Sequence, residues 1–538
     1  MSNPRSTHQT LRSLPVLALL FLALSAGAQS FRVQCPTSTI THPVQTTANP
    51  SLPVDNNSEP AYTAPTTLVA GPNGYLVPTA NVNGAIKCQQ VSGGDGYATM
   101  GDGTQIYMFS FGPLSGLADM ANGLPGTEFP NVFNTVYAGA SPLVPGDPAT
   151  SDPDFIKDHT FAYNGAVGQV PDPDAGGAIN GHVDPRPIMD VGVMNGNIPA
   201  PLMAIDEDDE FFLTLTNVGM IMRPDLFEQH TVHFHGYPNA SAFYDGVPDA
   251  SVAINIGASF TYYYLAPDAG TYFWHCHITP PEHLQMGMVG QLYVRPRQNR
   301  VPVGNSLYAA LQQQQIDPRT RCDSNNDILC SNPLPAAPNS VPRAATGNYA
   351  YNDGDGSTYY DVEYPIQIHG FDPNFHFVGM TFNPEGFADM KDKYYLLNGR
   401  SYPDTVNPAP IATQSSDGVS HFSQPLPSII NIPAGKKALL RISDLDVVEF
   451  QTLASLGIPM QVIALNAKLL RDQAGNNMYY KTNSITLGGG ESLDVILDAS
   501  NTTLYPKGSV FYLYTTNLDH LSNDAENFGG LMTEVHIN

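Results

Sequence analysis

Short runs in which apolar and polar residues alternate recur along most of the chain and predict β-strands. One of them is "VAINIGASFTYYYLAPDAGTYFWHCH", where the alternation has period two and turn residues recur about every ten positions. "YPIQIHGFD", "ESLDVILDAS" and "SVFYLYTTN" continue the pattern in the second half of the chain. The 47 glycines and 47 prolines favour strands and turns over long helices. The sequence therefore predicts an all-β protein.

Changes in composition divide the chain into two predicted β-domains with connecting segments. Residues 29–100 are rich in Pro, Thr, Asn and Gly and predict an extended N-terminal segment that either packs on the body or stays mobile. A first β-domain is predicted over 101–297, a linker over 298–358 and a second β-domain over 359–538. The first domain contains an insertion at about 115–188, which is too long for an ordinary connection. Two β-sandwiches in tandem are the simplest architecture for this arrangement.

Residues 1–28 have the pattern of a signal peptide. Arg5 and Arg12 precede the apolar run "LPVLALLFLALSAGA", and the small residues Ala26–Ala28 form a cleavage site. The alternative is an uncleaved membrane anchor, which needs an apolar span of about 20 residues, and this run is shorter. We therefore expect a mature chain without a membrane span, in the periplasm or secreted, where the compartment is oxidising.

The charge balance is acidic and excludes some partners. The chain has 49 acidic against 23 basic residues, and its formal net charge is −26. Because like charges repel, this balance argues against binding to nucleic acid or to anionic membranes.

An oxidising compartment makes the five cysteines informative. Cys322 and Cys330 lie eight positions apart in a polar stretch and are expected to close a small disulfide loop. Cys35 and Cys88 flank a segment rich in Thr, Pro and Asn and form the second expected pair. Cys276 is then left over, and an odd cysteine in an exported protein needs its own explanation. A metal thiolate is one.

The surroundings of Cys276 are rich in metal-binding side chains. The stretches "HTVHFHG" and "FWHCHITPPEHLQMGM" hold His230, Cys276, His283 and Met288, the last three around one strand-to-loop corner. Two histidines and a cysteine with a weak axial methionine form the trigonal site of blue copper. Met286 is interpreted as a packing residue. The pattern predicts a copper site that carries one electron.

The same stretches predict a second group of ligands. Strand alternation sends His233 and His235 to one face, and it sends His275 and His277 to the face opposite Cys276. Four imidazoles suit copper, zinc, iron or nickel, so these pairs alone do not identify the metal. Peptide bonds join the Cys276 thiolate to both neighbouring histidines, and this short route from a one-electron site indicates a second copper centre. An isolated His-x-His pair would be a weak signal.

At these residues the sequence resembles the multicopper oxidases, which are built from cupredoxin domains. "MNGNIPAPLMAIDEDDEFFLTLTN" is similar to that family's opening strands, and "HFHG…YDGVPDASVAINIGASFTYYYLAPDAGTYFWHCH" is similar to the body of its first domain. The resemblance is close over roughly 190–296 and loose over 360–538. It implies tandem cupredoxin-like Greek-key β-sandwiches, with the extended N-terminal segment in front.

The resemblance also implies an exported oxidoreductase of the multicopper oxidase type. His230, Cys276, His283 and Met288 correspond to the type 1 blue copper ligands. Half of a type 2/type 3 copper cluster, where oxygen is reduced to water, corresponds to His233, His235, His275 and His277. The electron donor is expected to be a small molecule or a metal ion, with Cys276 passing electrons through its two neighbours. Asp245 is either a proton relay or a turn residue before Gly246.

Two departures from the family stand out. The loop from Cys276 to His283 is two residues longer than usual, which "TPPE" absorbs. The full cluster needs eight histidines, and the second domain contains no His-x-His pair. Its histidines are expected to be lone surface or loop residues: His369, His376, His421 and His520. We therefore expect the cluster to be completed at an interface, in a homotrimer or with a partner subunit.

Two other functions remain open on the sequence. The copper nitrite reductases also have two cupredoxin domains, and His235 and His275 match two ligands of their catalytic copper. The position of their catalytic aspartate is occupied by His233 here. The residue after Cys276 is His277, whereas those enzymes have a small apolar residue there. Both differences favour the oxidase. The third interpretation is a non-catalytic blue-copper protein for electron transfer or copper binding.

Overall fold

The computed structural model describes residues 32–71, 74–135, 165–237, 241–266, 268–314, 333–379, 386–416, 418 and 420–538. The expected signal peptide and the expected Cys322–Cys330 pair lie outside these residues, as does the middle of the expected insertion. Within the described ranges, no helix has the length and apolar character needed to cross a membrane.

An N-terminal hairpin precedes the first β-sandwich and consists of β1 (Thr67–Ala70) and β2 (Leu76–Ala80). One sheet of the sandwich has the order β4-β3-β6-β8, with β3 (Ile86–Thr99), β4 (Gln105–Pro113), β6 (Glu210–Gly219) and β8 (Ser259–Leu265). The facing sheet has the order β5-β10-β9-β7, with β5 (Met203–Asp206), β7 (His233–Phe234), β9 (Gly270–His275) and β10 (Val289–Arg295). The core between them is apolar and largely aromatic, and it includes Phe211, Tyr262 and Trp274.

The second β-sandwich also consists of two sheets. The first sheet has the order β14-β13-β18-β24-β20-β21, and β22 also pairs with β20. Its strands are β13 (Val362–Phe371), β14 (Tyr394–Leu397), β18 (Lys437–Asp444), β20 (Met460–Leu465), β21 (Lys468–Leu469), β22 (Tyr480–Thr482) and β24 (Ser492–Asp498). The other has the order β17-β26-β25-β19-β23, with β17 (Ile430–Ile432), β19 (Gln451–Leu456), β23 (Ser484–Leu487), β25 (Val510–Thr515) and β26 (Met532–Ile537).

Short elements lie outside the two sandwiches. Two small ladders pair β11 (Asn348–Tyr349) with β12 (Tyr359–Tyr360) and β15 (Ile411–Gln414) with β16 (Ser420–Gln424). The α-helices are α1 (Leu117–Ala121), α2 (Pro130–Phe133), α3 (Pro185–Gly192), α4 (Pro280–Gln285), α5 (Leu307–Gln314) and α6 (Pro373–Gly379). The 3₁₀ turns are Pro173–Ala175, Ala242–Tyr244, Arg297–Arg300, Phe387–Asp389, Asp404–Val406 and Leu518–His520.

The two sandwiches repeat one topology, which combines parallel and antiparallel pairs. In the first, β3 runs parallel to β6 and β5 runs parallel to β10, whereas the other pairs are antiparallel. In the second, β13 runs parallel to β18 and β17 runs parallel to β26. The order β5-β10-β9-β7 therefore corresponds to β17-β26-β25-β19. The predicted fold class, tandem cupredoxin-like β-sandwiches, is confirmed.

The two sandwiches share an apolar core and a buried ionic network. Phe273 and Val289 of the first sandwich pack against Phe371 and Leu396 of the second, all of them buried. These contacts bring β9, which leads to Cys276, against the second sandwich. The copper-binding candidates therefore lie near the junction of the two units.

The N-terminal segment packs on the first sandwich and is cross-linked to it. The predicted pairing of Cys35 with Cys88 is confirmed, with Cα atoms 5.8 Å apart. The first sheet begins at Ile86, inside the range predicted to be extended, because β3 lies between β4 and β6 and its apolar residues fill the core. The extended part of the segment is therefore shorter than its composition indicates.

Candidate copper centres

The first candidate centre is built around the Cys276 thiol, immediately after β9. Cys276 is fully buried and unbonded to another cysteine. The Nδ1 atom of His283 lies 3.2 Å from its Sγ atom, and the Nδ1 atom of His230 lies 3.9 Å away. These three ligand atoms all lie within 4.8 Å of one another. One sulfur and two imidazole nitrogens converge on one point, as a trigonal copper site requires.

The electrostatics of this group suit a thiolate. Burial raises the pKa of the Cys276 thiol, but His283 and His230 lower it by more, so that the pKa lies well below its usual value. The backbone N–H of Thr231 also donates to Sγ over 3.4 Å. The outer Nε2 atoms of both rings are buried, and within the described chain no hydrogen-bond partner reaches that of His230. Both rings therefore direct their inner nitrogen at the sulfur, as ligands would.

Local sequence explains the placement of both histidines. The prolines of "TPPE" begin α4, which carries His283 back over the sulfur, so the two additional loop residues form a short helix. On the opposite side β3 lies close to His230. A Cβ atom on Gly93 would come within 2.6 Å of the His230 ring. A glycine is required here because the strand backbone itself covers the ring.

Met288 lies beside this group. Its carbonyl oxygen accepts a hydrogen bond from the Cys276 backbone N–H over 3.1 Å, and its own N–H donates to the His283 carbonyl. Its side chain is fully buried in the same apolar core as Cys276 and Met286. The backbone thus holds Met288 against both ligand residues, which is compatible with its predicted axial role.

The second candidate centre consists of imidazoles from β7 and β9 and the residues that follow them. The ligand atoms of His233, His235 and His275 lie within 4.8 Å of one another. The two nearest are Nε2 of His235 and Nε2 of His275, which are 3.0 Å apart. The His277 ring lies beside them, with its centroid 4.9 Å from that of His233. All four predicted imidazoles are therefore brought together, and three of them converge.

Backbone carbonyl oxygens fix the orientation of the three converging rings. The Nδ1 atom of His233 donates to Asp245 O over 2.7 Å, and that of His275 donates to Cys276 O over 2.6 Å. The Nδ1 atom of His235 contacts Gly490 O at 3.3 Å. A carbonyl on one ring nitrogen leaves the other free to bind metal, a common arrangement around metal-binding histidines.

Two of the three rings, His235 and His275, are held neutral. Burial lowers the pKa of His275 well below its usual value, and the neighbouring His235 lowers it further. Burial and His233 lower the pKa of His235 to about 4. Neutral imidazole is the form that binds a metal ion, so these two rings are ready to bind one at neutral pH.

Asp245 contacts His233 in two ways. Its carbonyl oxygen accepts the Nδ1 hydrogen bond, and its carboxylate lies 3.6 Å from the same nitrogen. Gly246 follows with a φ of 84°, and a Cβ atom there would overlap the Val232 carbonyl. Sequence reasoning identified Asp245 for its side chain, but the closest contact comes from its backbone.

The register of the second sandwich shows what replaces these ligands there. In the first sandwich His233 pairs with His275 across β7 and β9, and in the second Leu453 pairs with Thr515 across β19 and β25. Counting from these pairs, the positions of His233, His235, His275, Cys276 and His277 are occupied by Leu453, Ser455, Thr515, Thr516 and Asn517. The equivalent corner of the second sandwich therefore has no imidazole or thiol at these positions.

The histidines of the second sandwich correct one expectation. His369, His376, His421 and His520 were expected on the surface or in loops, but all four are buried, at most 8 % exposed. His376 contacts the carbonyl oxygens of Tyr107 and Gln285, and His520 pairs with Glu449 at 2.8 Å. In the described ranges none of the four lies in either ligand group. Their burial depends on contacts with distant segments, such as those of His376 with Tyr107 and Gln285, so it could not be predicted from the sequence.

Sequence reasoning also missed Glu228. Its carboxylate lies 3.7 Å from Nε2 of the buried His283, and its side chain is 27 % exposed. Hydrogen bonding to His283 lowers the pKa of Glu228. No motif marks this residue, because the contact depends on the loop before β7 folding over α4.

A cavity of about 330 Å³ separates the second ligand group from the second sandwich. His235, Phe273 and Leu284 line one side, and Val448, Phe450 and the Gly488–Gly490 turn line the other. Its charged lining residues are Asp446 and Glu449, both acidic. The cavity is thus mainly apolar, gives access to a candidate ligand and carries negative charge.

Comparison with known proteins identifies the unit that holds both centres. A family model described as multicopper oxidase matches residues 180–299, the range from β5 to the end of β10 with its flanks. This part of the chain is similar to a multicopper oxidase domain. A laccase from Aspergillus fumigatus, "Laccase abr2", is 34 % identical to it over 109 residues. A copper-containing nitrite reductase from Rhizobium meliloti is 34 % identical over 119 residues.

Each of these two relatives matches about a fifth of the chain. The match with the laccase covers 20 % of this chain and 17 % of the laccase, and that with the nitrite reductase covers 21 % and 28 %. Among solved structures, a blue copper oxidase from Nitrosomonas europaea covers 84 % of this chain and 85 % of its own with 18 % identity. The TM-score of this match is 0.45.

Proposed function

We propose that the protein is an exported oxidase that oxidises a donor one electron at a time at a blue type 1 copper and reduces oxygen at a second copper centre. The observation that carries the proposal is the position of Cys276. Its sulfur faces His230 and His283, while His275 on one side of it belongs to the other ligand group and the His277 ring on the other side lies next to that group. A simple electron carrier has no need for the second group.

The ligand roles follow from the two groups. His230, Cys276 and His283 would hold the type 1 copper, with Met288 as the axial ligand. The second centre would be held by His233, His235, His275 and His277. Copper at these sites would supply one-electron oxidation of the donor and reduction of oxygen. The chain contributes a rigid frame, because backbone carbonyls orient the rings and the peptide from Cys276 to His275 joins the two groups.

The cavity beside His235 supports oxygen as the acceptor. Its wall is mainly apolar and its charged groups are carboxylates, so a neutral gas enters more easily than an anion such as nitrite. The full cluster of the family needs more histidines than this domain has. Because His233 and His277 are partly exposed, we propose that the cluster is completed at an interface, in a homotrimer or by a partner subunit.

Glu228 supports a donor site at the first centre. Its partly exposed carboxylate lies against His283 and is the polar group through which a bound donor would reach that ring. A small molecule or a metal ion fits this position. The Cys35–Cys88 disulfide supports an exported protein, in the periplasm or secreted, since such bonds persist in oxidising compartments.

A nitrite reductase-like function is the second candidate. It is favoured by the three imidazoles that converge within one chain and by the likeness to the Rhizobium meliloti protein over 119 residues. A catalytic copper held by three histidines would match that function. The acidic cavity argues against it.

Copper content and acceptor assays test the proposal. Purified, copper-loaded protein is expected to bind about two copper ions per chain or more and to have an intense blue absorption. With a reduced donor it is expected to consume oxygen and to leave nitrite unchanged. Consumption of nitrite without oxygen uptake would favour the reductase, and about one copper per chain with neither activity would contradict both enzymes.

A further inference from the structure

A pair of carboxyl groups lies buried between the two sandwiches, next to the cavity. Asp392 and Asp446 are 4 % and 3 % exposed, and their carboxyl groups lie close together. Both Oδ2 atoms lie against Gly370 of β13, where an added Cβ atom would overlap that of Asp392 and come within 2.9 Å of that of Asp446. Two carboxylates this close in a dry site cannot both be ionised, so the pair holds a proton.

The hydrogen-bond donors around the pair show which member carries the proton. Oδ1 of Asp446 accepts hydrogen bonds from the backbone N–H groups of Val448 and Glu449. Its Oδ2 atom accepts one from the Gln451 side-chain amide over 2.6 Å. Asp392 accepts the Gln285 amide at Oδ1, over 3.0 Å, and in the described chain no N–H reaches its Oδ2. Because N–H donors stabilise a carboxylate, Asp446 is the ionised member and Oδ2 of Asp392 is the protonated one.

The electrostatic surroundings agree with this assignment. Burial raises the pKa of Asp392 well above its usual value, and the Asp446 carboxylate raises it further. Asp444 and Glu449 of the same segment and Tyr395 of β14 also face the pair. The nearby charges are negative, so a proton that leaves the pair is readily replaced.

The position of the pair connects it to the second copper centre. Asp446 lines the cavity that His235 lines from the other side. Glu449 lines the same cavity, is 39 % exposed and is paired with the buried His520. A proton from solvent can therefore reach the cavity wall at Glu449 and the pair at Asp446.

We propose that the Asp392–Asp446 pair is the proton-holding group of this cavity and supplies protons to oxygen reduced beside His235. The inference rests on the proposed function. Reduction of one oxygen molecule to two waters takes up four electrons, which come from the donor, and four protons. Each proton leaves Oδ2 of Asp392 through Asp446 to the cavity and is replaced from solvent, so the pair itself is neither oxidised nor reduced.

The proton on the pair can be detected in copper-free protein by infrared spectroscopy. Asp392→Asn has nearly the shape of the native side chain and has no acid proton. We expect the spectrum of the wild type minus that of the variant to contain a carboxylic acid carbonyl band at neutral pH, shifted in D₂O. Asp446→Asn should also change this band, and Asp353→Asn, which alters an equally buried carboxyl group away from the cavity, should leave it in place. Absence of the band overturns the proposal.

The delivery of protons is tested with the copper-loaded protein. Asp392→Asn should leave anaerobic reduction of the blue absorption by donor unchanged and slow its return under oxygen by roughly 100-fold. Asp353→Asn should change neither rate. An unchanged rate of return in Asp392→Asn and Asp446→Asn would refute the delivery role. If the wild type consumes no oxygen, the proposed function fails and the delivery role with it, while the infrared band still identifies a proton-holding pair.

Discussion

At the scale of single residues, the two ligand groups depend on close backbone contacts as much as on the ligands. His230 packs against Gly93, and His233 is oriented by the carbonyl of Asp245 just before Gly246. A side chain at Gly93 would displace the His230 ring, and one at Gly246 would overlap the backbone carbonyl of Val232, next to His233. The ligands could be recognised in the sequence from their types and spacing, whereas these supporting positions could not.

Substitution of Gly246 tests the support of His233. Gly246→Ala adds a methyl group that overlaps the Val232 carbonyl, so we expect the copper content of the second centre to fall while the blue absorption remains. Gly257→Ala is a matched control, since its φ of 77° is similar but nothing lies within 4 Å of the added atom. Both variants should lose about 1–2 kcal/mol of stability from the left-handed conformation. Equal copper loss in both variants would show that strain, and not the contact, is responsible.

Cys276→Ser tests the separation of the two groups. The serine oxygen is a poor substitute for a thiolate, so we expect the variant to lose its blue absorption and about one copper ion per chain. The copper held by the imidazoles should remain, which metal analysis would measure. Retention of the blue absorption would show that the sulfur is not a ligand.

At the scale of elements, the N-terminal segment is held by one buried carboxylate. Glu210 of β6 accepts the hydroxyl groups of Thr39 and Thr41, the Nδ1–H of His42 over 2.9 Å and the Tyr263 hydroxyl over 2.5 Å. Although burial raises it, these donors, led by His42, bring the pKa of Glu210 down to about 2. The disulfide and this carboxylate fasten the segment at two places.

Loss of this carboxylate should loosen the segment. Glu210→Gln leaves buried donors without a charged acceptor, and we expect a loss of about 1–3 kcal/mol in the free energy of unfolding. Amide hydrogen exchange of residues 39–42 should become faster while β9 and β10 stay protected. Glu534→Gln, a change in a half-buried pair with His536, is the control. Unchanged exchange in residues 39–42 would contradict the account.

The sequence predicted the elements well where periodicity was strong, and less well where distant segments meet. Alternation identified the strands before Cys276, and the one confirmed disulfide followed from cysteine arithmetic. The start of the first sheet at Ile86 was missed, because the strand follows a segment whose composition favours extended chain. The Asp392–Asp446 pair and Glu228 could not be foreseen, because their partners are more than 50 positions away or depend on loop packing.

At the scale of the whole molecule, a buried ionic network joins the two sandwiches. Glu363 of the second sandwich binds Arg295 of the first over 2.6 Å and Arg441 of its own sandwich over 3.0 Å. The Thr271 hydroxyl of the first sandwich donates a hydrogen bond to Asp494 of the second. Burial raises the pKa of Glu363, but the two arginines lower it by more, to about 2. This network holds β9 against the second sandwich, where the cavity forms.

The network makes stability depend on acid pH. Because the pKa of Glu363 is about 2 in the folded protein and 4.5 ordinarily, its stabilisation is present above about pH 4.5 and is lost as the pH falls toward 2. Glu363→Gln should lose about 3 kcal/mol at neutral pH and depend less on pH in that window, as measured by urea unfolding. Asp268→Asn, which breaks an exposed pair with Lys468, should cost less than about 1 kcal/mol. Parallel pH profiles of wild type and Glu363→Gln would exclude this role.

The central claim is that one sulfur binds a copper ion while the residues on either side of it belong to the site of another. Anomalous diffraction at the copper edge, from crystals of copper-loaded protein, tests it most directly. The account predicts one peak among Sγ of Cys276 and the Nδ1 atoms of His230 and His283, and a separate peak at the Nε2 atoms of His233, His235 and His275. A crystal with no peak at the sulfur, or with no peak at the imidazoles, would contradict it.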